Sequence, residues 1–288
     1  MSAPHSDTSP VWPGGPSLQG PHRVAAFAAC PQLEAFAHEL HLRPVLEKVA
    51  TKVGTYVHAA LAYRYAARLP KLPEWFVYRD GYEAIEKLAF DRPDLGQLAT
   101  RIFTAYEDYY KTDSWRAILV EEQLVVMFEN GEPYSCRVDL LATDVNGDLW
   151  IVDHKTCGKP TTNLNAKYCT DRQMLTNVAL ARACGYPVRG VVINEISREM
   201  PYPSFQRETI TLNAIAYDLL GITTNFYLDS MKRTRIAFPD PMNRPKNTDA
   251  CVTKFGPCDF WGLCWGHSSL DEFRVPAEYL GGRVKKGT

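Results

Sequence analysis

Apolar residues recur at helical spacing through the first third of the chain. Three segments have apolar positions three or four residues apart, the period of an amphipathic helix. They cover residues 31–42, 50–69 and 95–110. The sequence therefore predicts a helical region over residues 31–115.

After this region the pattern changes to short apolar runs of the kind that form β-strands. These runs cover residues 118–120, 124–128, 137–141 and 149–152. Asn130-Gly131 and Asn146-Gly147 each lie between two successive runs, and this dipeptide favours a tight hairpin turn. The second part of the chain is therefore expected to begin with antiparallel strands.

Helical spacing returns over residues 165–184, and Gly185-Tyr186-Pro187 is expected to end that helix. A buried strand follows over residues 188–193, and a last helix over residues 212–231. The order of helices, antiparallel strands, helix, strand and helix predicts an α/β fold, in which helices flank a small mixed β-sheet.

Residues 1–24 are rich in proline, glycine and serine, which predicts a flexible N-terminal arm. We expect residues 25–268 to form one domain, with a central core over residues 116–200. A C-terminal helix and a cysteine-rich loop would complete this domain over residues 212–268. The remaining residues, 269–288, are expected to form a tail.

The charges of the chain nearly cancel, with 32 Lys and Arg against 33 Asp and Glu. This balance argues against a globally basic nucleic-acid-binding protein, so a nucleic-acid groove would have to be a local basic patch. No apolar run approaches the ~20 residues that span a membrane, and the N-terminal residues lack the apolar segment of a signal peptide. We therefore expect a cytoplasmic protein that has no membrane partner.

The clearest chemical pattern follows the last antiparallel run. Asp153 and Lys155 are two residues apart, so their side chains leave the same face of a strand. Asp139 lies on the preceding strand, and a two-residue loop between the strands would turn it to the opposite face. A three-residue loop over residues 145–147 would instead pair it with Asp153 and place Gly147 where a left-handed backbone is needed. We predict the three-residue loop.

Two carboxylates that converge at a strand end, with an ammonium beside them, suit metal-dependent hydrolysis of phosphodiesters. Mg²⁺ prefers carboxylate oxygens, and a bound ion activates water and stabilises charge on phosphoryl oxygens. Lys155 would orient the attacking water or offset developing negative charge. The alternative is a surface salt bridge between Asp153 and Lys155. The apolar run before Asp153 favours the metal site, because such a run is typical of a central strand, whose end commonly binds ligands.

Two of these segments resemble the core of the PD-(D/E)XK nucleases, in their RecB-like exonuclease branch. They are Arg-Val-Asp-Leu-Leu over residues 137–141 and Ile-Val-Asp-His-Lys-Thr over residues 151–156. Residues 54–61 are similar to the first motif of that branch, which contains a histidine, and residues 171–174 are similar to its glutamine helix. The resemblance implies a restriction-endonuclease-like core.

By this resemblance, the chain would be a Mg²⁺- or Mn²⁺-dependent deoxyribonuclease. Asp139 and Asp153 would be catalytic metal ligands, Lys155 the catalytic lysine, His58 an additional metal ligand and Gln173 a catalytic positioning group. Without that context, His58 would more commonly be a packing or surface histidine.

A glutamate on an earlier strand usually completes this set of acids in the family. Either Glu121 or Glu122 could fill that position, and we assign the metal ligand to Glu122. The sequence departs from the family at Cys136, where glycine is common, and at Asn177, where tyrosine is common. Neither departure removes a metal ligand.

Three of the eight cysteines lie close together near the C-terminus, at Cys251, Cys258 and Cys264. In a long chain without an export signal, thiolate or metal chemistry is expected rather than disulfides. A tetrahedral metal ion or a cubane cluster needs a fourth ligand, and Cys30 is the best candidate.

One early cysteine and three late ones resemble the iron–sulfur site of RecB-like nucleases, in which four such residues hold a [4Fe–4S] cluster. Zn²⁺ is the alternative, although structural zinc sites more often use paired Cys-x-x-Cys motifs. A third possibility is that the cysteines are small buried residues without a metal. The cluster would have a structural role.

Tyrosines and basic residues crowd the first third of the chain, where they could stack on bases and contact phosphates or simply pack in the core.

The sequence as a whole predicts a DNA nuclease, an exonuclease by family likeness, that acts on single-stranded or duplex ends. Its setting would be recombination, repair or phage DNA processing. The alternative is a non-catalytic DNA-binding or scaffold protein that retains the nuclease fold. Hydrolysis of another phosphoester also stays open.

Overall fold

A five-stranded mixed β-sheet flanked by helices is the central feature of the chain. The structure is a computed structural model and describes residues 19–45, 47–127, 133–212, 214–253 and 256–276. The helices are α1 (Pro21–Ala29), α2 (Pro31–Glu34), α3 (Val49–Ala66), α4 (Gly81–Leu88), α5 (Pro93–Tyr109), α6 (Leu164–Tyr168), α7 (Arg172–Ala183), α8 (Ala214–Ala237) and α9 (Trp261–Cys264). The strands are β1 (Arg43–Pro44), β2 (Arg116–Met127), β3 (Pro133–Thr143), β4 (Leu149–Cys157), β5 (Val191–Ser197), β6 (Phe205–Ile210), β7 (Val252–Thr253), β8 (Gly256–Pro257) and β9 (Phe273–Arg274).

The described residues divide into two compact units. One unit consists of residues 48–217 and contains the five-stranded sheet. The other joins residues 19–47 to residues 218–276 and is built around Phe36, Leu42 and Phe260. The extent of the predicted domain, residues 25–268, stays a prediction. Within the described part of the chain, no helix is both long enough and apolar enough to cross a bilayer.

Near both chain ends, the structure contains elements outside the predicted domain of residues 25–268. Helix α1 begins at Pro21, inside the predicted arm, because proline is favoured in the first turn of a helix. Within the predicted tail, Phe273 and Arg274 form β9, which pairs with β1. The remainder of the arm up to residue 18, residues 277–288 and the Asn130-Gly131 turn lie outside the described residues.

The sheet has the strand order β2-β3-β4-β5-β6, and only β4 and β5 run parallel among these neighbours. This mixed sheet, with helices around it, confirms the predicted fold class. The two runs predicted over residues 118–120 and 124–128 are one continuous strand, β2, with a register shift between Ala117 and Leu119. An edge strand tolerates polar side chains along its exposed face, which is why polar residues interrupt its apolar pattern without ending it.

The hairpin between β3 and β4 has the predicted three-residue loop. Leu140 pairs with Val152 and Thr143 with Leu149, so the same register sets position 139 opposite position 153. The Asp144 amide donates to the Asp148 carbonyl at 3.0 Å, and Gly147 has a φ of +83°. Glycine adopts this left-handed conformation without steric cost, so the turn residue and the register agree.

The predicted helices lie at the expected positions, but the number of helices differs from the prediction. The segments predicted over residues 50–69 and 95–110 correspond to α3 and α5, whereas the segment predicted over residues 165–184 is two helices, α6 and α7. The break occurs because the Asp171 carboxylate accepts a hydrogen bond from the Met174 amide at 3.1 Å and so caps a new helix. Helix α4 and strand β6 were not predicted, and β5 begins at Val191 rather than at residue 188.

The core of the sheet-containing unit lies between the sheet and helices α3, α4 and α5. Tyr65 of α3 and Tyr106 of α5 are fully buried there. Tyr63 is also buried, and its hydroxyl donates to the Trp75 carbonyl at 2.9 Å. Much of the tyrosine-rich region is therefore core, while Tyr109 remains 64% exposed.

Candidate active site

The hairpin of β3 and β4 presents two carboxylates in opposing positions of neighbouring strands. Asp139 is partly accessible, and its Oδ2 accepts a hydrogen bond from the His154 backbone N–H at 2.8 Å. The side chain of Asp153 is 1% exposed. The register that the three-residue loop imposes is what puts both groups at one place in the sheet.

Helix α3 brings His58 to the same place. The helix packs closely on β4 at Gly54, where an added Cβ would lie 2.8 Å from Thr156 Oγ1. A side chain at position 54 would require Thr156 or the helix to shift, and glycine avoids this. One turn later, His58 Nδ1 lies 3.6 Å from Asp139 Oδ2.

Glu121, not the expected Glu122, completes a group of candidate metal ligands with His58 and Asp139. The donor atoms of these three residues lie within 4.8 Å of one another. Glu122 is exposed, on the other face of β2. Glu121 has a φ of +50°, which breaks the alternation of the strand, so that Val120 and Glu121 are both buried.

A left-handed conformation at a glutamate is strained, and such strain is concentrated at functional sites. Two consecutive acids in a strand give no sequence signal for which one faces the site. The positive φ at Glu121 decides it, and this angle is a property of the folded backbone. The expected ligand Glu122 is therefore corrected to Glu121, because Glu121 lies beside His58 and Asp139 whereas Glu122 is exposed.

Asp153, Lys155 and Gln173 form a second group next to the first. Lys155 Nζ lies 2.7 Å from Asp153 Oδ2 and donates to Gln173 Oε1 at 2.9 Å. Gln173 Nε2 in turn donates to Asp153 Oδ1 at 3.2 Å. The closed set of contacts fixes the lysine ammonium at the carboxylates, and Gln173 reaches it from the first turn of α7.

Burial makes the three carboxyl groups less acidic than usual, and the charge of Asp139 adds to this effect at Asp153 and Glu121. Burial raises the pKa of Asp153 to about 6, against the attraction of Lys155. Burial also raises the pKa of Asp139. The pKa of Glu121 is raised well above its ordinary range, first by burial and then by the charge of Asp139. A bound divalent cation would relieve both effects, because it neutralises charges that burial disfavours.

The two basic groups of the site differ in protonation state: His58 is neutral and Lys155 is charged. Burial, and then the charge of Lys155, lowers the pKa of His58 to about 4, so its imidazole is neutral as a metal ligand must be. For Lys155, burial by itself would lower the pKa, but Asp153 and Asp139 outweigh it and the pKa is raised. The lysine is therefore an ammonium at neutral pH. One imidazole nitrogen with carboxylate oxygens is a donor set that suits Mg²⁺ and Mn²⁺.

Comparison with known proteins agrees with this geometry. The sequence model of the PD-(D/E)XK nuclease superfamily matches residues 20–214. The chain belongs to this superfamily. Its members are nucleases that use divalent metals, so the chain has the fold and the class of site of a hydrolase that acts on nucleic acids.

Solved structures support the fold. A crystal structure of a candidate exonuclease from Eubacterium rectale is similar over 94% of this chain and 93% of its own, with a TM-score of 0.55 and 10% identity. At this identity the likeness shows the fold alone. The match to the crystal structure of SSO0001 covers 68% of this chain and 84% of that one, at 13% identity and with a TM-score of 0.31, which is too low to show a common fold. No curated protein matches the sequence.

Four cysteines meet in the unit that joins the two ends of the chain. They line one small cavity, together with Lys246, Asn247 and aromatic side chains; the four are Cys30, Cys251, Cys258 and Cys264. The Asn247 amide donates to Cys30 Sγ at 3.4 Å, and Lys246 Nζ donates to the Cys264 carbonyl at 3.0 Å. Burial raises the pKa of the Cys264 thiol to about 11.

The spacing of these thiols bears on which metal group they could bind. Tetrahedral Zn²⁺, with Zn–S bonds of ~2.3 Å, holds its thiolates about 4 Å apart. Among the described residues, the only group of three or more potential ligands within 4.8 Å is the one at His58. The four thiols are therefore not such a group among these residues, although all four line one cavity.

Proposed function

We propose that the chain is a Mg²⁺- or Mn²⁺-dependent deoxyribonuclease that degrades DNA from single-stranded or duplex ends, in recombination, repair or phage DNA processing. The observation that supports this proposal is that two sets of side chains lie next to each other where helix α3 meets strands β2, β3 and β4. His58, Glu121 and Asp139 form a metal-ligand set, and Lys155, held by Asp153, forms a cationic group beside it. The superfamily of the chain supports the same chemistry.

His58, Glu121 and Asp139 would hold the cation, with Asp153 as a further ligand. When bound, the cation supplies a Lewis acid that lowers the pKa of water and stabilises charge on phosphoryl oxygens. The carboxylates of the chain would hold the cation beside positions 139 and 153 of the hairpin. Their raised pKa values mean that protons compete for the site below about pH 6, since Asp153 is then protonated.

Lys155 supplies the fixed positive charge of the site. An ammonium has three N–H donors, and two of its contacts are to Asp153 Oδ2 and Gln173 Oε1. The ammonium, held near the carboxylates by these two contacts, can donate to a phosphoryl oxygen or to the attacking water. Gln173 keeps both partners in place, because its amide donates to Asp153 while its oxygen accepts from Lys155. Preorganised charge of this kind stabilises a phosphoryl-transfer transition state without reorganisation.

The test is cleavage of end-labelled single- and double-stranded DNA with Mn²⁺, compared with a closed circular DNA. We expect the linear substrates to be shortened from their ends and the circle to resist. Lys155→Ala should lose at least about 100-fold in rate, the scale of a lost charge-stabilising group. Lys159→Ala, which removes an exposed lysine of the following loop, is the matched control and should keep wild-type activity. DNA binding without cleavage by the wild-type chain would instead support the scaffold alternative.

We also propose that Cys30, Cys251, Cys258 and Cys264 bind a [4Fe–4S] cluster. Four thiols around one cavity support this, because a [4Fe–4S] cluster is held by four cysteine thiolates. Because Cys30 is more than 200 residues from the others in sequence, ligation would couple metal occupancy to the folding of this unit. Its role would be structural.

Purified protein should be brown, with about four iron and four sulfide per chain. Cys264→Ser should reduce the iron content and the visible absorbance together. Cys169→Ser is the matched control, because Cys169 does not line the cavity, and it should leave both unchanged. Colourless protein that contains one zinc ion per chain would contradict the cluster and support the zinc alternative.

A further inference from the structure

His154 lies between the two catalytic residues in sequence, but its ring points to the opposite face of β4. There it is buried against α3, stacked on Tyr65 with ring centroids 5.6 Å apart and an interplanar angle of 13°. The His58 ring meets it edge-on, at 6.0 Å and 82°. The backbone N–H of His154 donates to Asp139 Oδ2. One residue therefore contacts two candidate metal ligands, His58 through its ring and Asp139 through its backbone.

We propose that His154 is a positioning residue of the metal centre, held in one orientation by a buried chain of hydrogen bonds. The inference rests on the proposed function, since it concerns the ligands of that site. Outer partners of this kind orient metal ligands and strengthen metal binding. The chain of contacts that holds His154 runs away from the site, across strands β5 and β6.

Asn194 sets the tautomer of His154. Arg207 Nε donates to Asn194 Oδ1 at 3.2 Å, and because a guanidinium cannot accept hydrogen bonds, the amide oxygen must face Arg207. Asn194 Nδ2 is therefore directed to the other side, 2.7 Å from His154 Nδ1 and 2.9 Å from the Tyr106 hydroxyl. It follows that His154 Nδ1 accepts a hydrogen bond and that the ring hydrogen is on Nε2.

Arg207 is itself fixed by a buried carboxylate. Its Nη1 and Nη2 donate to Asp113 Oδ1 and Oδ2, each at 2.9 Å, in a bidentate pair. Its Nη2 also lies 3.0 Å from the Tyr65 hydroxyl and 2.7 Å from the Tyr106 hydroxyl, which share its second N–H. Tyr65 thus holds His154 by stacking while its hydroxyl belongs to the same network. The ring of His154 is fixed both at Nδ1 and across its face.

A residue that only fills the core would affect stability when replaced, but not the affinity of a metal ion. A positioning residue would affect that affinity, because His58 and Asp139 would lose the contacts that hold them toward the cation. Mn²⁺ affinity, measured apart from catalysis, therefore separates the two roles.

The experiment is isothermal titration calorimetry of Mn²⁺ with the full chain. His154→Leu, which keeps approximately the volume of the side chain, should raise the Kd for Mn²⁺ by 10- to 100-fold. Asn194→Leu removes the partner of His154 Nδ1, together with the contacts of Asn194 to Arg207 and Tyr106, and should raise the Kd in the same direction. Ile196→Ala is the matched control, because Ile196 is fully buried on β5 but contacts neither ligand in any hydrogen bond or ring pair. It should lower the thermal unfolding midpoint without changing the Kd more than twofold.

Saturating Mn²⁺ should restore kcat in His154→Leu, since the variant keeps every group of the catalytic machinery. A Kd within twofold of the wild-type value in both His154→Leu and Asn194→Leu would overturn the positioning role. Wild-type chain that binds Mn²⁺ without cleaving DNA would refute the proposed function alone, and the Kd comparison would still decide the role of His154. Wild-type chain that fails to bind Mn²⁺ would refute both.

Discussion

The buried carboxyl of Asp153 makes the folded chain less stable as it ionises, and Asp153→Asn should remove this effect. Its pKa is raised from 3.8 to about 6 by burial, against the attraction of Lys155. Below pH 3.8 the group is protonated in the folded and unfolded states alike. Between pH 3.8 and 6 only the folded state keeps the proton, so the contribution of this carboxyl to the free energy of unfolding is lost as the pH rises.

The size of the effect follows from the same pKa values. One pKa unit corresponds to ~1.4 kcal/mol, and proton linkage between 3.8 and about 6 gives a loss of about 2 kcal/mol from pH 4.5 to pH 8. Asparagine is neutral throughout this range. The free energy of unfolding of Asp153→Asn, relative to that of the wild-type chain, should therefore rise by about 2 kcal/mol between these pH values.

Urea unfolding of metal-free protein, with a chelator present, measures this difference at each pH. Asp94→Asn is the control: Arg92 lowers the pKa of that exposed carboxyl from 3.8, so it titrates below this pH range and the relative stability should stay nearly constant between pH 4.5 and pH 8. Asp153→Asn should also abolish DNA cleavage, since it weakens a ligand and the anchor of Lys155. A difference between Asp153→Asn and wild type that stays constant or shrinks as the pH rises would refute the reasoning.

Three further predictions concern the site, the buried network and the hairpin. Glu121→Gln should weaken Mn²⁺ binding at least about 10-fold, whereas Glu122→Gln should leave it unchanged, by calorimetry; equal effects would contradict the positional assignment. Arg207→Met should lower the free energy of unfolding by ~3–5 kcal/mol, because it leaves the buried carboxylate of Asp113 without its partner. Arg189→Met, which breaks an exposed ion pair, should lower it by less than about 1 kcal/mol. Urea unfolding measures both, and similar losses would contradict the role of burial. Gly147→Ala should lower the unfolding free energy by ~1–2 kcal/mol through its left-handed φ, and no measurable loss would contradict a strained turn.

Local signals were sufficient where one turn or one helix decides the structure. The loop over residues 145–147 was predictable because Gly147 can take a positive φ and because the apolar faces of both strands require one register. Helices α3 and α5 were predictable from their apolar spacing. In each case the residues that determine the element are close together in sequence.

Local signals failed where distant packing or a cap decides the structure. Strand β2 is continuous although polar residues interrupt its apolar pattern, because pairing with β3 satisfies its backbone. Helices α6 and α7 are separate because the side chain of Asp171 caps the second helix, a local contact that the apolar spacing obscures. Strand β6 has no clear alternation, since it is an edge strand with mixed burial.

The sequence alone determined which chemical groups the site contains: two aspartates and a lysine on one strand pair, a glutamine on a helix, and cysteines toward both ends of the chain. Periodicity and turn residues act over a few positions, so they also determined the register that aligns Asp139 with Asp153. The tertiary structure decided that Glu121 rather than Glu122 joins His58, and that His154 is held from behind by Asn194. These contacts depend on a strained backbone angle and on residues far apart in the chain, neither of which leaves a local pattern.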